Sequence, residues 1–409
     1  MRLKRWGAAL TASMLVAVFA AGAAVADAPE RGGDAGDTIK IGGVGYGAFY
    51  GDAANGVQAR IARANRDNEL PGGRQIEFVG FEEDNSDPTE NSDATQRLIQ
   101  QEEVFAILPM ISPFPTGIEL AESEGVPVFG WAIGPEWCDK TVAFGFSGGC
   151  LTPAEPEVYS NAWGVLLRDK FEGDIEGRTV AIIAEDNDLG RSGIETQTAA
   201  FEDVGLEVVY DEASMPAPPA APPSDFTSFA NELLSSADGE APDVICLLLS
   251  SGNVLGLADK LKELGYEGVQ TNAVQYDPRL IAGAEGSTVF IQMAAFQSAP
   301  ENENVQQMID DVEEEFGPDQ LLVQPLAAGY WSAEFFIQVL NKLGDEDLTQ
   351  ESFLEVANDG FVFRVPDTIA RTKWPKAHRQ GSACGTLVEA VGEEYTIAVP
   401  FECGKIKKL

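Results

Sequence analysis

The amino-acid sequence predicts an α/β protein built from two doubly wound parallel-sheet units in tandem. Three observations carry that expectation. Strand-like and helix-like stretches alternate from residue 38 onward. The alternation breaks between Gly148 and Glu155 and then starts again. The chain has 409 residues, enough for two cores of ordinary size.

The first unit opens on TIKIGGVG, a strand. DAANGVQARIARANRDN follows as a helix, with Asp52 as its cap and Ala54, Val57, Ile61 and Ala64 at helical spacing. RQIEFVGFE is the next strand. DPTENSDATQRLIQQE is a helix with Pro88 near its first turn and Ala94, Leu98 and Ile99 on its apolar face. VFAILPM, PTGIELAESEG and VPVFGWA complete a βαβαβαβ run, hence a mostly parallel sheet covered on both faces.

The second unit begins with AEPEVYSNAWGVLLRDKF, read as a helix, then RTVAIIAED as a strand. LGRSGIETQTAAFEDVG, DFTSFANELLSSA (capped by Asp225) and GNVLGLADKLKELG are its further helices. LEVVYDEASM, PDVICLLLS and GVQTNAV are the strands between and after them. The run PAPPAAPPS, 216–224, is extended and cannot enter a sheet, so it reads as an exposed loop. After STVFIQMAAF come three helical stretches, 301–316, QPLAAGYWSAEFFIQVLNKLG and LTQESFLEVAND. The tail, 361–409, is rich in turn and strand signals.

Composition narrows the function. The chain has 27 basic and 66 acidic side chains, a net charge of −39, which repels nucleic acid and anionic lipid. MRLKRWGAALTASMLVAVFAAGAAVADAPE combines a basic start, an apolar segment and the A-x-A site Ala24-Val25-Ala26. It reads as a secretory signal peptide over 1–26, which makes the mature chain periplasmic, secreted or surface-associated. No Cys lies in the first 137 residues, which excludes a lipid on an N-terminal Cys. Export places the five cysteines in an oxidising compartment. Cys138 and Cys150 bracket one short loop, and Cys384 and Cys403 bracket the last hairpin-like run, so they pair in that order. Cys246 sits in a buried-strand pattern and reads as an inert thiol. The single histidine, His378, reads as a surface-loop residue, and with one His neither a His metal site nor a Ser-His-Asp triad is easily built. EDNSD and GDED lack the spacing of a calcium loop.

Gly43, Gly45 and Ala48 fit the G-x-G-x-x-A fingerprint of a dinucleotide site. That site needs an acid about 20 residues further on. The first acids at the end of the second strand are Glu82, Glu83 and Asp84, about 40 residues beyond Gly43. No cofactor is expected. The glycines instead read as a tight turn at the C-terminal edge of the sheet, where open α/β sheets bind ligands. Tyr46, Phe49 and Tyr50 supply aromatic surface there. Ser112 and Thr116 offer hydroxyls after the third strand, and Trp131, with Ala132 and Ile133, follows the fourth. Leu189 lies in the loop EDNDLGRSG; Tyr276 is placed to stack on a ligand and Asp277 to hold a cation. Together they outline a cleft for a small organic molecule.

In this order the segments resemble the type I periplasmic binding proteins, in particular the branched-chain amino acid (Leu/Ile/Val-binding-like) group of ABC-transporter solute receptors. IKIGGVGYGAFYGDAANG resembles that group's first strand, ligand loop and helix start, with Tyr50-Gly51 at its Tyr-Gly. EDNSDPTENSDATQRLI, AESEGVPVFGWAIGPE, RTVAIIAEDNDLGRSGIE, DFTSFANEL, GLADKLKELG and GYWSAEFFIQVLNK are similar to its later elements. The resemblance implies two lobes with the hinge crossed three times, 38–152 with 296–365 and 153–295 with 366–409. It implies a non-enzymatic, monomeric receptor that captures a solute in the cleft and docks on a membrane permease. Departures from the family set are Ile133 where a hydroxyl is usual, Leu189 where a Tyr is usual, and Pro113 after Ser112. Swapping a hydroxyl for Ile removes a partner that a zwitterion needs. The expected ligand is therefore an amino acid, an amide or an organic or aromatic carboxylate, rather than an ordinary leucine-type solute alone. The competing readings are a sensory module of the same fold and a secreted α/β enzyme, for which a G-x-S-x-G elbow is missing.

Overall fold

The computed structural model describes residues 38–218 and 220–409. The signal segment expected at 1–26 lies outside the described residues. Among the described residues, no helix is long and apolar enough to cross a membrane.

The first sheet is all parallel. It contains β1 (Thr38–Gly45), β2 (Gln75–Glu83), β3 (Ala106–Ile111), β4 (Val128–Gly130) and β5 (Ala143–Gly145), in the order β2-β1-β3-β4-β5. β3 is buried along its whole length, as a central parallel strand must be. Its helices are α1 (Gly47–Tyr50), α2 (Asp52–Arg66), α3 (Pro88–Gln100) and α4 (Gly117–Glu124). α3 starts where the sequence indicates. The Asp87 side chain accepts from the N–H groups of Thr89 and Glu90 at 2.8 and 3.0 Å, and Pro88 fills the first position, where no donor is needed. Asp52 is not the cap of α2. The turn α1 runs straight into α2, which leaves Asp52 in the first helical turn with a helical Gly51 ahead of it.

The second sheet is mixed. β7 (Thr179–Glu185), β8 (Glu207–Met215), β9 (Val244–Leu248), β10 (Val269–Asn272) and β11 (Ser287–Ile291) are parallel. The order is β15-β14-β11-β10-β9-β7-β8, where β14 (Cys384–Val391) and β15 (Glu394–Cys403) add an antiparallel edge from the end of the chain. Its helices are α5 (Ala162–Lys170), α6 (Asp188–Glu202), α7 (Thr227–Leu233), α8 (Ser251–Glu263) and α9 (Ile281–Ala284). The helix expected over AEPEVYSNAWGVLLRDKF is only its second half. Residues 158–160 form a short strand, β6 (Val158–Ser160), because the C-terminal β16 (Ile406–Lys408) pairs with it.

Between the two sheets the chain returns once to the first. α10 (Glu303–Phe316) and α11 (Gln324–Leu343) pack on α2, and α12 (Gln350–Asn358) packs on α11. α11 is buried on nearly every face, which requires a close crossing. Gly56 and Gly329 provide it: a Cβ on Gly56 would lie 1.9 Å from the Leu326 carbonyl oxygen, and one on Gly329 would lie 2.0 Å from that of Ala53. A stack of Phe129, Phe144, Phe335, Phe336 and Phe353 fills the space between α11, α12 and the sheet. β12 (Val362–Val365) and β13 (Ile369–Lys373) form a hairpin across the division expected at 365/366. Trp374, just beyond it, packs on Phe144 and Phe335 of the first core, so the chain leaves that core only after this residue. The molecule is thus bilobed, and the chain passes between lobes three times: after β5, after β11 and before β14.

His378 is not on a surface loop. It is buried against Phe144 and Trp374, with its ring nitrogens on the Ala143 carbonyl at 3.1 Å and the Asn358 side-chain amide at 2.7 Å. Both disulfides form: Cys138–Cys150 at 2.00 Å, and Cys384–Cys403 at 2.07 Å across the open end of the β14–β15 hairpin. Cys246 is fully buried in β9, and burial pushes its thiol pKa far up.

Candidate ligand cleft

The glycines after β1 work by close approach rather than by unusual backbone angles. Neither Gly43 nor Gly45 has a positive φ. A Cβ on Gly45 would lie 2.0 Å from the Ile111 carbonyl oxygen, so the side-chain-free strand lets β1 lie tight on β3. The Tyr46 N–H then donates to that same oxygen at 3.1 Å, and the chain turns into α1. The Gly47 N–H donates to Glu83 Oε1 at 3.0 Å. This turn sets out three aromatic rings. Tyr46 and Phe49 lie 5.3 Å apart, and Phe49 is 42% exposed. Tyr50 lies 6.3 Å from Trp131, edge to face.

Trp131 is one of the residues that join the lobes. It stands at the end of β4, and its indole N–H donates to Gln292 Oε1, just past β11, at 3.3 Å. The Ser147 hydroxyl reaches the same oxygen at 2.9 Å. The Tyr50 hydroxyl is pushed up to about 12, first by burial and then by Glu185, Tyr46 and Asp84. Glu185 ends β7 and is itself buried, accepting from the Ser250 N–H and the Asn253 amide, both at 2.9 Å. Asp84 is buried at the end of β2, where desolvation raises its pKa against the opposing pull of Ser112, Asn91 and the Ser86 N–H. The electrostatic push on the Tyr50 hydroxyl thus comes from a carboxylate of each lobe. A second bridge lies beside it: Arg279 pairs with Asp52 at 3.0 Å and with Asp277 at 2.6 Å.

The predicted residues divide into two groups. Tyr46, Phe49, Tyr50 and Trp131 come together. Ser112 is fully buried next to Asp84, and its Oγ accepts from the Phe114 N–H at 3.1 Å. Ala132 is sealed, and Ile133 is half-buried against the first core. Leu189 is half-buried in the first turn of α6, just after the Asn187 cap, whose side chain accepts from the Gly190 N–H at 2.7 Å. Thr116 is turned toward α3, bonded to the Pro88 carbonyl and to Ser92 Oγ.

Two expectations are corrected. Tyr276 is 1% exposed, stacked on Phe296 at 5.1 Å and edge-on to Tyr395, with its hydroxyl bonded to Gln297 and the Phe296 N–H. It is a core residue with no face left for a ligand. Asp277 spends both carboxylate oxygens on Arg279, so it holds a side chain rather than a free cation. Sequence reasoning did not single out Gln292, Glu185, Asp84 and Arg279, which surround or influence these residues. Glu185 and Asp84 carried a usable signal, an acid at the end of a strand. Gln292 carried none, since 161 residues separate it from Trp131. Among the described residues no cluster of three or more His, Cys, Asp or Glu is placed to hold a metal ion.

Residues 17–394 match the family model for periplasmic binding proteins. The chain belongs to that family. That family is one of binding proteins. A comparison with curated proteins gives no match. Among solved structures, this periplasmic binding protein is similar to a fatty acid ABC transporter substrate-binding protein from Thermomonospora curvata. Identity there is 17%, with 92% of this chain and 95% of that one covered and a TM-score of 0.71. It is similar to a solute-binding protein of an ABC transporter from Rhodopseudomonas palustris, in complex with 3,4-dihydroxybenzoic acid. That match has 17% identity, 90% and 97% coverage and a TM-score of 0.65. A third likeness is a branched-chain amino acid ABC transporter protein from Thermus thermophilus with bound valine, at 14% identity, 90% and 97% coverage and a TM-score of 0.66.

Proposed function

We propose that the protein is the extracytoplasmic receptor of an ABC transporter. It captures one small solute between its lobes and delivers it to a membrane permease, with its signal segment removed near Ala26. On this reading the first lobe is 38–152 with 296–380, and the second is 153–295 with 381–409. The 381 division keeps the β12–β13 hairpin, Trp374 and His378 with the core they pack on.

The solute is small and polar or amphipathic: an amino acid, an amide or an aromatic carboxylate. The observation that carries this reading is Trp131, edge-on to Tyr50 on one lobe and bonded to Gln292 of the other. On this reading the two rings form the wall against which a flat apolar body stacks. Asp84 and Glu185 both bear on the Tyr50 hydroxyl. The polar end met there is a donor, an amide N–H or an ammonium, in preference to a third carboxylate. Closure over the solute is a population shift, driven by contacts that exist only when both lobes touch it.

Isothermal titration over amino acids, including valine, and over amides, aromatic acids and polyols tests the reading. One class binds with micromolar or tighter affinity and is recovered unchanged. Trp131→Ala weakens that binding by about thirtyfold, the scale of a central aromatic anchor. Binding of none of these classes, chemical conversion of the ligand, or an unchanged affinity in Trp131→Ala refutes it.

A further inference from the structure

Arg279 stands between the two lobes. It lies in the loop after β10 of the second sheet, and the carboxylate it reaches, Asp52, lies in the first turn of α2 on the first. The loop is a firm base. The Tyr395 hydroxyl of β15 donates to the Gln275 carbonyl and, at 3.2 Å, to that of Asp277. Asp277 is buried and accepts from the Arg279 backbone N–H at 2.8 Å. Its carboxylate also holds the Arg279 side chain, with Nε at 2.9 and 3.0 Å and Nη2 at 2.6 Å. The same loop touches the first lobe at the start of α11, where the Gln324 N–H donates to the Tyr276 carbonyl at 3.3 Å.

Nη2 is the shared atom. It also meets Asp52 Oδ2 at 3.0 Å. A terminal guanidinium nitrogen carries two hydrogens, so one serves each carboxylate. The two bonds are unequal. Those to Asp277 lie within one loop and persist whatever the lobes do. The one to Asp52 joins two lobes and breaks when they part. Parting strands neither charge. Arg279 is 46% exposed and keeps Asp277, while Asp52 is 21% exposed and keeps its place at the N-terminal end of α2, where an anion is favoured. The penalty of an uncompensated buried charge is therefore absent, and the contact is readily reversible. Asp52 is two residues from Tyr50, whose ring meets Trp131, so the pair lies beside the proposed cleft.

We propose that Arg279 is a positioning residue for solute capture: through Asp52 it latches the closed arrangement of the lobes, and it lets go without leaving Asp277. The proposal rests on the receptor reading, since a latch serves only lobes that open. Arg279 acts through closure rather than through contact with the solute. Its grip sets how often the closed form is populated, and with it the apparent affinity.

Pulsed electron-resonance distance measurement on the full mature protein, free of solute, tests this. One nitroxide is placed on each lobe, at Asp93→Cys of α3 and Glu195→Cys of α6, both exposed, and the buried Cys246 stays unlabelled. At about 0.05 M sodium chloride, Asp52→Asn shifts the ratio of closed to open distances about fivefold toward open, the weight of one partly exposed ion pair. Arg279→Gln does the same, and the two together do no more than either alone. At about 1 M sodium chloride the wild-type ratio moves toward that of Asp52→Asn, which itself stays in place. The proposal is overturned if Asp52→Asn keeps the wild-type ratio, a single interlobe distance throughout included. A lowered thermal midpoint with that unmoved ratio makes the pair a fixed structural contact. The proposal is also overturned if the two substitutions add, or if salt moves Asp52→Asn as far as wild type. No solute enters the measurement, so the two readings fail separately. An unmoved ratio in a chain that binds a solute refutes the latch alone, and a shifted ratio in a chain that binds none refutes the receptor reading while the lobes are still latched.

Discussion

His378 has a consequence that can be measured by titration. Burial lowers its pKa from 6.5 to about 4, against the upward pull of the Ala143 carbonyl. Between about pH 4 and 6.5 the folded protein therefore holds a neutral ring where the unfolded chain holds a charged one. That contribution is fully present above pH 6.5 and is lost as the pH falls through about 4. A shift of this size is worth about 3 kcal/mol. Denaturant unfolding at steps from pH 7 to 4 checks it: wild type loses that much more stability than His378→Gln over the window, and parallel curves contradict it. The same residue marks where sequence reading stopped. WPKAHRQ has the polar look of a loop, and nothing local reveals that Phe144, Asn358 and Trp374 close over the ring. Tyr276 and Asp277 failed for the same reason. Their position after a strand was read correctly, but their partners, Phe296 and Arg279, depend on side-chain packing. The meeting of Tyr50 and Trp131 was legible in outline, because both follow strands at the same edge of the first sheet.

Helices α3 and α12 were read well from local signals, although the local cap expected at Asp52 is not formed. Asp87-Pro88 caps α3, and the Thr349–Ser352 capping box starts α12, both by bonds within one turn. Elements were read badly where the partner is remote. β6 exists because β16 pairs with it from the other end of the chain, and AEPEVYSN alone gives no hint of that. The α2–α11 crossing is another long-range feature, and it makes a sharp prediction. A methyl group at Gly329 would sit 2.0 Å from the Ala53 carbonyl oxygen, so Gly329→Ala forces two helices apart. Overpacking of this kind costs about 2 kcal/mol. The thermal midpoint falls accordingly, although alanine is the better helix former. A midpoint equal to or above that of wild type would show that the crossing is not tight.

At the scale of the whole molecule, charge dominates. A net −39 opposes compaction, and few of the acidic groups have basic partners, since only 27 Lys and Arg face 66 Asp and Glu. Added salt screens that repulsion over distances beyond about 3 Å at 1 M and about 10 Å at 0.1 M. The unfolding midpoint therefore rises between 0.05 and 1 M sodium chloride, by scanning calorimetry, and a falling midpoint contradicts this account. The bilobed plan was legible from the order of segments alone, because each α/β unit announces itself by alternation. Where the lobes divide near the C-terminus was not, since a hairpin, β12–β13, lies across the expected boundary.

The threefold passage between lobes also sets the order of assembly. The first core waits for α11, and the second sheet waits for β14 and β15, so neither is complete until a segment far downstream has joined it. A chain wired in this way cannot be cut into two sequential halves that each keep a whole core, and truncation before β14 leaves the second sheet without its antiparallel edge.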